Sequence, residues 1–189
     1  MNVYDFDNTI YDGESVVDFY FFLMKKNIRL AAILPKVLYM LIRYKRCLIS
    51  VDEMIDCASQ YSRRMIEMFG TLDDIVKEFW DKNEHKIKKF YLKNQKDDDV
   101  ILSANSDFIL NEICRRIGVN NLLCSHMDEK NGEITRLCFH KKKVDIFKET
   151  FPDAQIDEFY TDSMNDRPMF KLANHVYIVK GNVIKEVQI

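Results

Sequence analysis

Two aspartates two residues apart, Asp5 and Asp7 in the run Asp5-Phe6-Asp7-Asn8-Thr9, directly follow the apolar start Met1 to Tyr4. Residues i and i+2 of a strand face the same way, so an extended backbone here makes the two carboxylates converge. Two anions on one side of a backbone repel unless a proton or a cation lies between them. The pair is therefore either a divalent-metal site or an acid/base couple. A surface turn is the ordinary reading of two nearby aspartates. The apolar strand ahead of them, and a second acidic strand end in Asp162-Ser163-Met164-Asn165-Asp166, argue for chemistry instead.

Positioning such a pair requires a frame, and the hydrophobic period supplies one. Residues 2 to 6 read as a buried strand, and from Glu14 to about Asn94 the pattern is helical. It predicts helices at Ser15 to Lys26 and Ile28 to Lys45, then after the capping boxes Ser50-x-x-Glu53 and Thr71-x-x-Asp74. Beyond the charged run Lys96 to Asp99, strands and helices alternate. The predicted order is strand Val100 to Leu102, helix Asp107 to Ile117, strand Leu122 to Ser125 and helix Lys142 to Thr150, with a hairpin around Lys130-Asn131-Gly132. Strand Glu158 to Thr161, helix Asn165 to Ala173, strand His175 to Val179 and a last strand Val183 to Val187 complete it. Alternation of this kind specifies an α/β fold with a parallel sheet covered by helices. Its first strand is parted from its second by an inserted all-helical cap. The expected division is a discontinuous core of residues 1–13 and 95–189 with a cap of residues 14–94.

Ligands of an open parallel sheet bind beyond the carboxyl ends of its strands. Three such ends deliver Asp5 and Asp7, then Ser103-Ala104-Asn105, then Asp162 and Asp166: four carboxylates, a hydroxyl and backbone amides. Hard oxygen ligands without histidine or thiolate favour Mg²⁺, which takes one or two carboxylates, waters and a phosphate. Lys141, Lys142 and Lys143 open the helix before the acidic strand, so an ammonium is available to phosphate oxygens.

In its motifs the chain resembles the haloacid dehalogenase superfamily. Asp5-Phe6-Asp7-Asn8-Thr9-Ile10 is similar to the first motif, Ser103 to the second, a lysine to the third, and Asp162-Ser163-Met164-Asn165-Asp166-Arg167-Pro168-Met169 to the fourth in its phosphoserine-phosphatase-like form. The resemblance implies a Rossmann-like three-layer αβα core with a parallel sheet and an inserted all-helical cap, and a Mg²⁺-dependent phosphomonoester hydrolase. Asp5 would be the nucleophile that forms an aspartyl-phosphate and Asp7 the acid/base. The metal would lie at Asp5, Asp7, Asp162 and Asp166, and phosphate at Ser103, Ala104, Asn105 and a lysine. Lys143 fits best, because Val144 and Phe147 follow it as in that branch, with Lys142 next; His140 stands near where a glycine is usual. Glu14, nine residues after Asp5, matches a substrate-contacting glutamate of phosphoserine phosphatases, although an acid also suits the first turn of a helix. Asp7 argues against dehalogenation, because true dehalogenases lack it. Transfer to an alcohol other than water and a non-catalytic binding module are the other readings.

Composition narrows the setting. With 28 basic and 30 acidic residues the net charge is −2, which gives no broad electrostatic reason to expect nucleic acid. The five cysteines are odd in number and form no Cys-x-x-Cys pair, which argues for a reducing compartment, the cytoplasm by default. A cleaved leader is not expected, because its removal would take the carboxylate pair with it. The expected partner is a small phosphorylated metabolite. The cap is, however, more apolar than a small zwitterion requires. The run Ile28 to Ile42, broken by Arg29, Pro35 and Lys36, is too short to span a bilayer. It is followed by Arg43, Lys45 and Arg46, so a lipid or isoprenoid phosphate at a membrane surface is the alternative substrate.

Overall fold

A computed structural model describes residues 1–33, 35, 36, 39, 43, 48 and 50–187. Its sheet has seven strands in the order β4-β3-β2-β1-β5-β6-β7. These are β1 (Asn2–Tyr4), β2 (Val100–Ser106), β3 (Asn121–Asp128), β4 (Glu133–Arg136), β5 (Ile156–Thr161), β6 (Ala173–Lys180) and β7 (Val183–Val187). The inner five pair in parallel, and β4 and β7 close the two edges antiparallel. Strand β1 lies at the centre, where the strand order reverses. That is the topological switch point at which open α/β sheets place their ligands.

Alternation along the strands builds two apolar layers. Val3, Val100 and Leu102 join Phe147 and Met169 on one face, packed by α6 (Lys141–Thr150) and α7 (Arg167–Phe170). Tyr4 and Ile101 join Phe19, Phe79, Trp80 and Ile109 on the other, where α1 (Ser15–Lys26), α3 (Asp73–Asn83) and α5 (Asp107–Arg116) lie. A tyrosine row crosses the centre of the sheet: Tyr4 stacks on Tyr160 at 4.7 Å, and Tyr160 on Tyr177 at 4.8 Å. Such cross-strand aromatic pairs help fix register.

The segment between β1 and β2 holds α1, α2 (Val51–Phe69), α3 and α4 (Lys89–Asn94). Among the described residues several contacts fasten it to the rest, three of which set its position over the sheet. Trp80 Nε1 donates to the Ile109 carbonyl at 2.7 Å, joining α3 to α5. The two linkers pair as a short ribbon, with Asp12 N to Lys86 O at 2.9 Å and Lys88 N to Ile10 O at 2.7 Å. Third, the β3–β4 hairpin reaches over to α2: Ile134 N donates to Ser59 Oγ at 3.0 Å. Its Gly132, at φ 72°, lies so close that a Cβ would stand 2.5 Å from Arg63 N.

Several predicted elements shift. The Ser50/Glu53 capping box forms in full, whereas Thr71 caps nothing: α3 starts at Asp73 after Leu72, which is buried and has no capping side chain. Burial of Leu72 outweighs the cap there. The helix predicted from Ile28 begins as a 3-10 helix over Ile28–Ile33. Extended Asn27 ends α1 and its Oδ1 accepts from Arg29 N, while Tyr20 Oη donates to the Leu30 carbonyl. Lys45, Arg46 and much of that predicted helix lie outside the described residues. The helix predicted over 165–173 is a 3-10 turn, Met164–Asp166, plus the short α7, because Ala173 is drawn into pairing with Ile156. Strand β1 ends at Tyr4, and Asp5 extends its ladder by one bond, N to Tyr160 O at 2.8 Å.

Gly132→Ala should lower stability by about 2 kcal/mol or more through forced separation of hairpin and helix. Gly118→Ala, at φ 73° with nothing within 4 Å of its added Cβ, should cost only the backbone term of about 1 kcal/mol. Urea unfolding of the two variants measures the difference, and equal losses would show that the hairpin contact is slack.

Candidate active site

The chain turns sharply after β1. Ile10 and Tyr11 both donate backbone N–H bonds to the Phe6 carbonyl, each at 3.0 Å, and Asn8 takes φ 58°. This curl, rather than a continued strand, brings Asp7 to α1. Ser15 N and Ser15 Oγ donate to Asp7 Oδ1 at 2.6 and 2.5 Å, so the first helical residue presents both its amide and its hydroxyl. Asn105 Nδ2 in turn donates to Ser15 Oγ at 2.7 Å. Two of the expected strand ends are thus joined through a serine that no motif identifies.

Asp5 meets the third. Lys143 Nζ donates to Asp5 Oδ1 at 2.8 Å and to Asp166 Oδ2 at 2.9 Å. Thr161 Oγ1 adds a bond to Asp166 Oδ2 at 2.9 Å. Lys143 is 2% exposed, Asp166 4% and Asp5 9%, so a single ammonium is shared by two carboxylates away from water. Lys142 pairs at the surface with Asp145 and stays outside. Ser103, 1% exposed, accepts from Asn105 N at 3.1 Å. The β2–β3 register breaks between Leu102 and Ser106, which turns residues 103–105 away from regular pairing. Asn105 spends its side chain on Ser15 and on Ser106 N. Glu14 stands at the exposed rim and accepts from Asn8 Nδ2 at 2.7 Å.

Two further lysines secure the rim through backbone carbonyls. Lys180 Nζ donates to the Asp162 carbonyl at 2.5 Å. Lys88 Nζ donates to the Asn8 carbonyl at 2.5 Å and to Gly181 O at 2.9 Å. Neither carries a sequence signal, because each looks like any lysine at the end of an element.

Electrostatics mark this cluster. Burial, first, pushes the Asp5 carboxyl up to about 7; Lys143 pulls it down, and Asp166 and Asp7 push it up again. Burial also lifts Asp7 to about 6 against the Ser15 hydrogen bonds, with Glu14 and Asp162 adding to the rise. Asp162 is raised by burial, partly offset by Lys180. Burial works against the Lys143 ammonium, but Asp5 and Asp166 overcome it and hold that group above the usual lysine range. Among the described residues no three His, Cys, Asp or Glu side chains gather as a metal cluster. Lys143 and Thr161 engage only Oδ2 of Asp166, Lys143 only Oδ1 of Asp5 and Ser15 only Oδ1 of Asp7, so each carboxylate keeps a second oxygen that a cation could use beside Asp162 and the nearby backbone. A cavity of about 520 Å³ lined by Lys36, Cys57, Tyr61, Arg63 and Arg64 contains none of these acids. Chemistry, not cavity size, locates the site.

The family model described as haloacid dehalogenase-like hydrolase matches residues 3–171, and the chain belongs to that family. A Bordetella pertussis Tohama I protein of unknown function has the same fold at TM-score 0.66 and 17% identity, covering 93% of this chain and 87% of its own. A phosphoserine phosphohydrolase-like protein from Francisella tularensis gives 0.57 and 16% over 93% and 86%. A phospho-aspartyl intermediate analogue of phosphoserine phosphatase gives 0.53 and 18% over 92% and 83%. No curated protein matches the chain.

The raised carboxyls fix a pH dependence. A carboxyl whose folded value lies above its unfolded value of about 4 binds protons more tightly when folded. Stability of metal-free protein should therefore fall as pH rises from about 4 to about 7, by up to about 1.4 kcal/mol per pH unit for each such group, and level off above. Urea unfolding in chelator across that range measures it. A flat or rising curve in that window would show that the acids are not desolvated.

Proposed function

We propose that this chain is a Mg²⁺-dependent phosphomonoester hydrolase that works through an aspartyl-phosphate on Asp5. The observation that carries the reading is the charge imbalance around Lys143: one buried ammonium is set against Asp5 and Asp166, with Asp7 and Asp162 beside them. An anionic phosphate entering such a site would be repelled by uncompensated carboxylates at low dielectric. A divalent cation removes that obstacle, and hard carboxylate and carbonyl oxygens suit magnesium. Asp5, Asp162 and the Asp7 carbonyl would hold it, with Asp166 in support through Lys143. When bound it would keep Asp5 ionised and offset the phosphoryl charge.

The chain's own groups then divide the work. An Asp5 oxygen attacks phosphorus as the ester P–O bond breaks, and Asp7 gives its proton to the leaving alcohol. A carboxyl near 6, kept there by burial against the two Ser15 bonds, is protonated often enough at neutral pH to serve as that acid. Once deprotonated, Asp7 takes a proton from the water that cleaves the aspartyl-phosphate, which restores both residues. Lys143 spends two of its three N–H groups on Asp5 and Asp166, which leaves one for a phosphoryl oxygen. Ser103 and the backbone at Ala104 and Asn105 would share that role. Residues 14–94 would form the cap, and Glu14, tethered by Asn8, would contact the substrate at the rim.

The setting we infer is cytoplasmic: Cys57, Cys114, Cys124 and Cys138 are free thiols, and burial pushes those of Cys114 and Cys138 up to about 12, where they are neutral. No described helix is long and apolar enough to cross a membrane. The expected partner remains a phosphorylated small molecule. A second reading, a lipid or isoprenoid phosphate, is favoured by apolar surface beside the site.

Asp5→Asn should abolish turnover of an aryl phosphate, as should chelation, and added Mg²⁺ should restore only the wild type. Full activity in the substituted enzyme would refute the nucleophile assignment. Ser15→Ala, which removes a bond that lowers the Asp7 value, should move the pH optimum upward and reduce kcat by roughly tenfold or more. An unchanged pH profile would detach Asp7 from the acid role. An alcohol added as acceptor should leave the phosphate yield unchanged, whereas its capture of the phosphoryl group would turn the reading to phosphotransfer.

A further inference from the structure

The helix that begins at Ser15, the serine that holds Asp7, carries an apolar ridge on its outside. Val17, Phe21 and Lys25 lie at successive four-residue steps, so they form one edge of α1, about 12 Å long. Val17 is 45% and Phe21 49% exposed, and Ile28, where the chain leaves the helix, is 73% exposed. Met164, two residues after Asp162, is 60% exposed. Exposed apolar residues scattered singly are ordinary. Here they lead away from the point where Ser15 holds Asp7.

The sequence that follows the ridge is basic, although Glu14 and Asp18 flank Val17 and Lys26 is paired with Glu78. Between residues 19 and 49 the sequence has seven Lys or Arg and no Asp or Glu, in a chain whose net charge is −2. Lys25, Arg29 and Lys36 among them are exposed. Arg43 lies over the ring of Tyr39, itself 59% exposed, at 5.6 Å. Apolar and aromatic side chains interleaved with cations form the surface that seats in the headgroup layer of an anionic bilayer. A second copy of the chain is a poor occupant, because it would bring the same cations face to face.

We infer that this face docks on an anionic lipid surface, and that the substrate is a phosphomonoester carried by a long acyl or prenyl chain that lies along the α1 ridge. The docking half stands on the exposed ridge and its charge; the substrate half rests on the phosphatase reading above. Docking would present the carboxylates to headgroups without any spanning helix. Headgroup phosphate is then delivered by diffusion in two dimensions, while the apolar chain stays out of water.

The test uses the full chain with two kinds of vesicle, neutral phosphatidylcholine and the same lipid with one third phosphatidylglycerol. Co-sedimentation should favour the anionic vesicles by at least about tenfold and weaken several-fold in half-molar salt. Phe21→Gln with Lys25→Gln should cut that partition by roughly tenfold and leave aryl phosphate turnover unchanged. A long-chain phosphomonoester in the anionic vesicles should be hydrolysed at least about tenfold faster than its short-chain soluble analogue, with the gain lost in the double variant. Equal partition to both vesicles, or unaltered partition of the variant, overturns the docking surface. Normal vesicle binding with equal rates on long and short chains overturns the substrate assignment. Absence of aryl phosphate turnover in the wild type, by contrast, sinks the phosphatase reading and leaves the partition result standing on its own.

Discussion

One ammonium shared by two carboxylates organises this protein. Lys143 comes from α6, Asp5 from the end of β1 and Asp166 from the turn after β5, so three chain segments must be in place before any of the charges is compensated. A buried ion pair gains little over an apolar contact, but loss of one partner leaves a buried charge alone at a cost of several kcal/mol. That asymmetry makes the triad a constraint on the relative placement of the three segments more than a source of stability. It also leaves the site short of positive charge, and that shortage is the physical basis for proposing a cation, without which an anionic phosphoryl group would be repelled.

The second set of contacts concerns Asp7, and it works by a different route. Asp7 is steered by the start of α1 through Ser15, which is steered in turn by Asn105 from β2. The helical segment is therefore not an appendage to a finished site, because its first residue holds one of the two central carboxylates. Phe19, Phe79 and Trp80 from that segment share one apolar cluster with Tyr4, Phe6 and Ile109, and the linkers pair as a ribbon. Any movement of the segment must keep the Ser15 to Asp7 bonds or give them up. Asp7 and the helical segment are mechanically linked.

Lys88 and Lys180 show how little of such a site is written in local motifs. Each donates to a backbone carbonyl of a site loop, at Asn8 and Asp162, and each arrives from a distant part of the chain. Burial lowers the Lys88 value, with Asp12 and Asp162 opposing. A lysine that satisfies carbonyls while facing carboxylates raises the local potential without forming an ion pair. Periodicity and motif spacing carry no trace of that arrangement.

Sequence alone determined most of the strand and helix order, because apolar periods of 2 and 3.6 follow from backbone geometry, and with it the parallel sheet and the placement of Asp5, Ser103 and Asp162 at or beyond strand ends. Resemblance to the family's third motif, with Val144 and Phe147 after the lysine, favoured Lys143 over Lys142. Tertiary structure decided what local signals could not reach. Burial of Leu72 set the start of α3 over a nearby capping box, and the Tyr20 bond to the Leu30 carbonyl belongs to a 3-10 turn where periodicity implied an α-helix. The bond from Asn105 to Ser15, the sharing of Lys143 and the hairpin pressed on α2 join residues from different elements of the chain. Hydrophobic pattern records which face of an element is buried, whereas these contacts depend on which elements meet, and that is settled only when the whole chain packs.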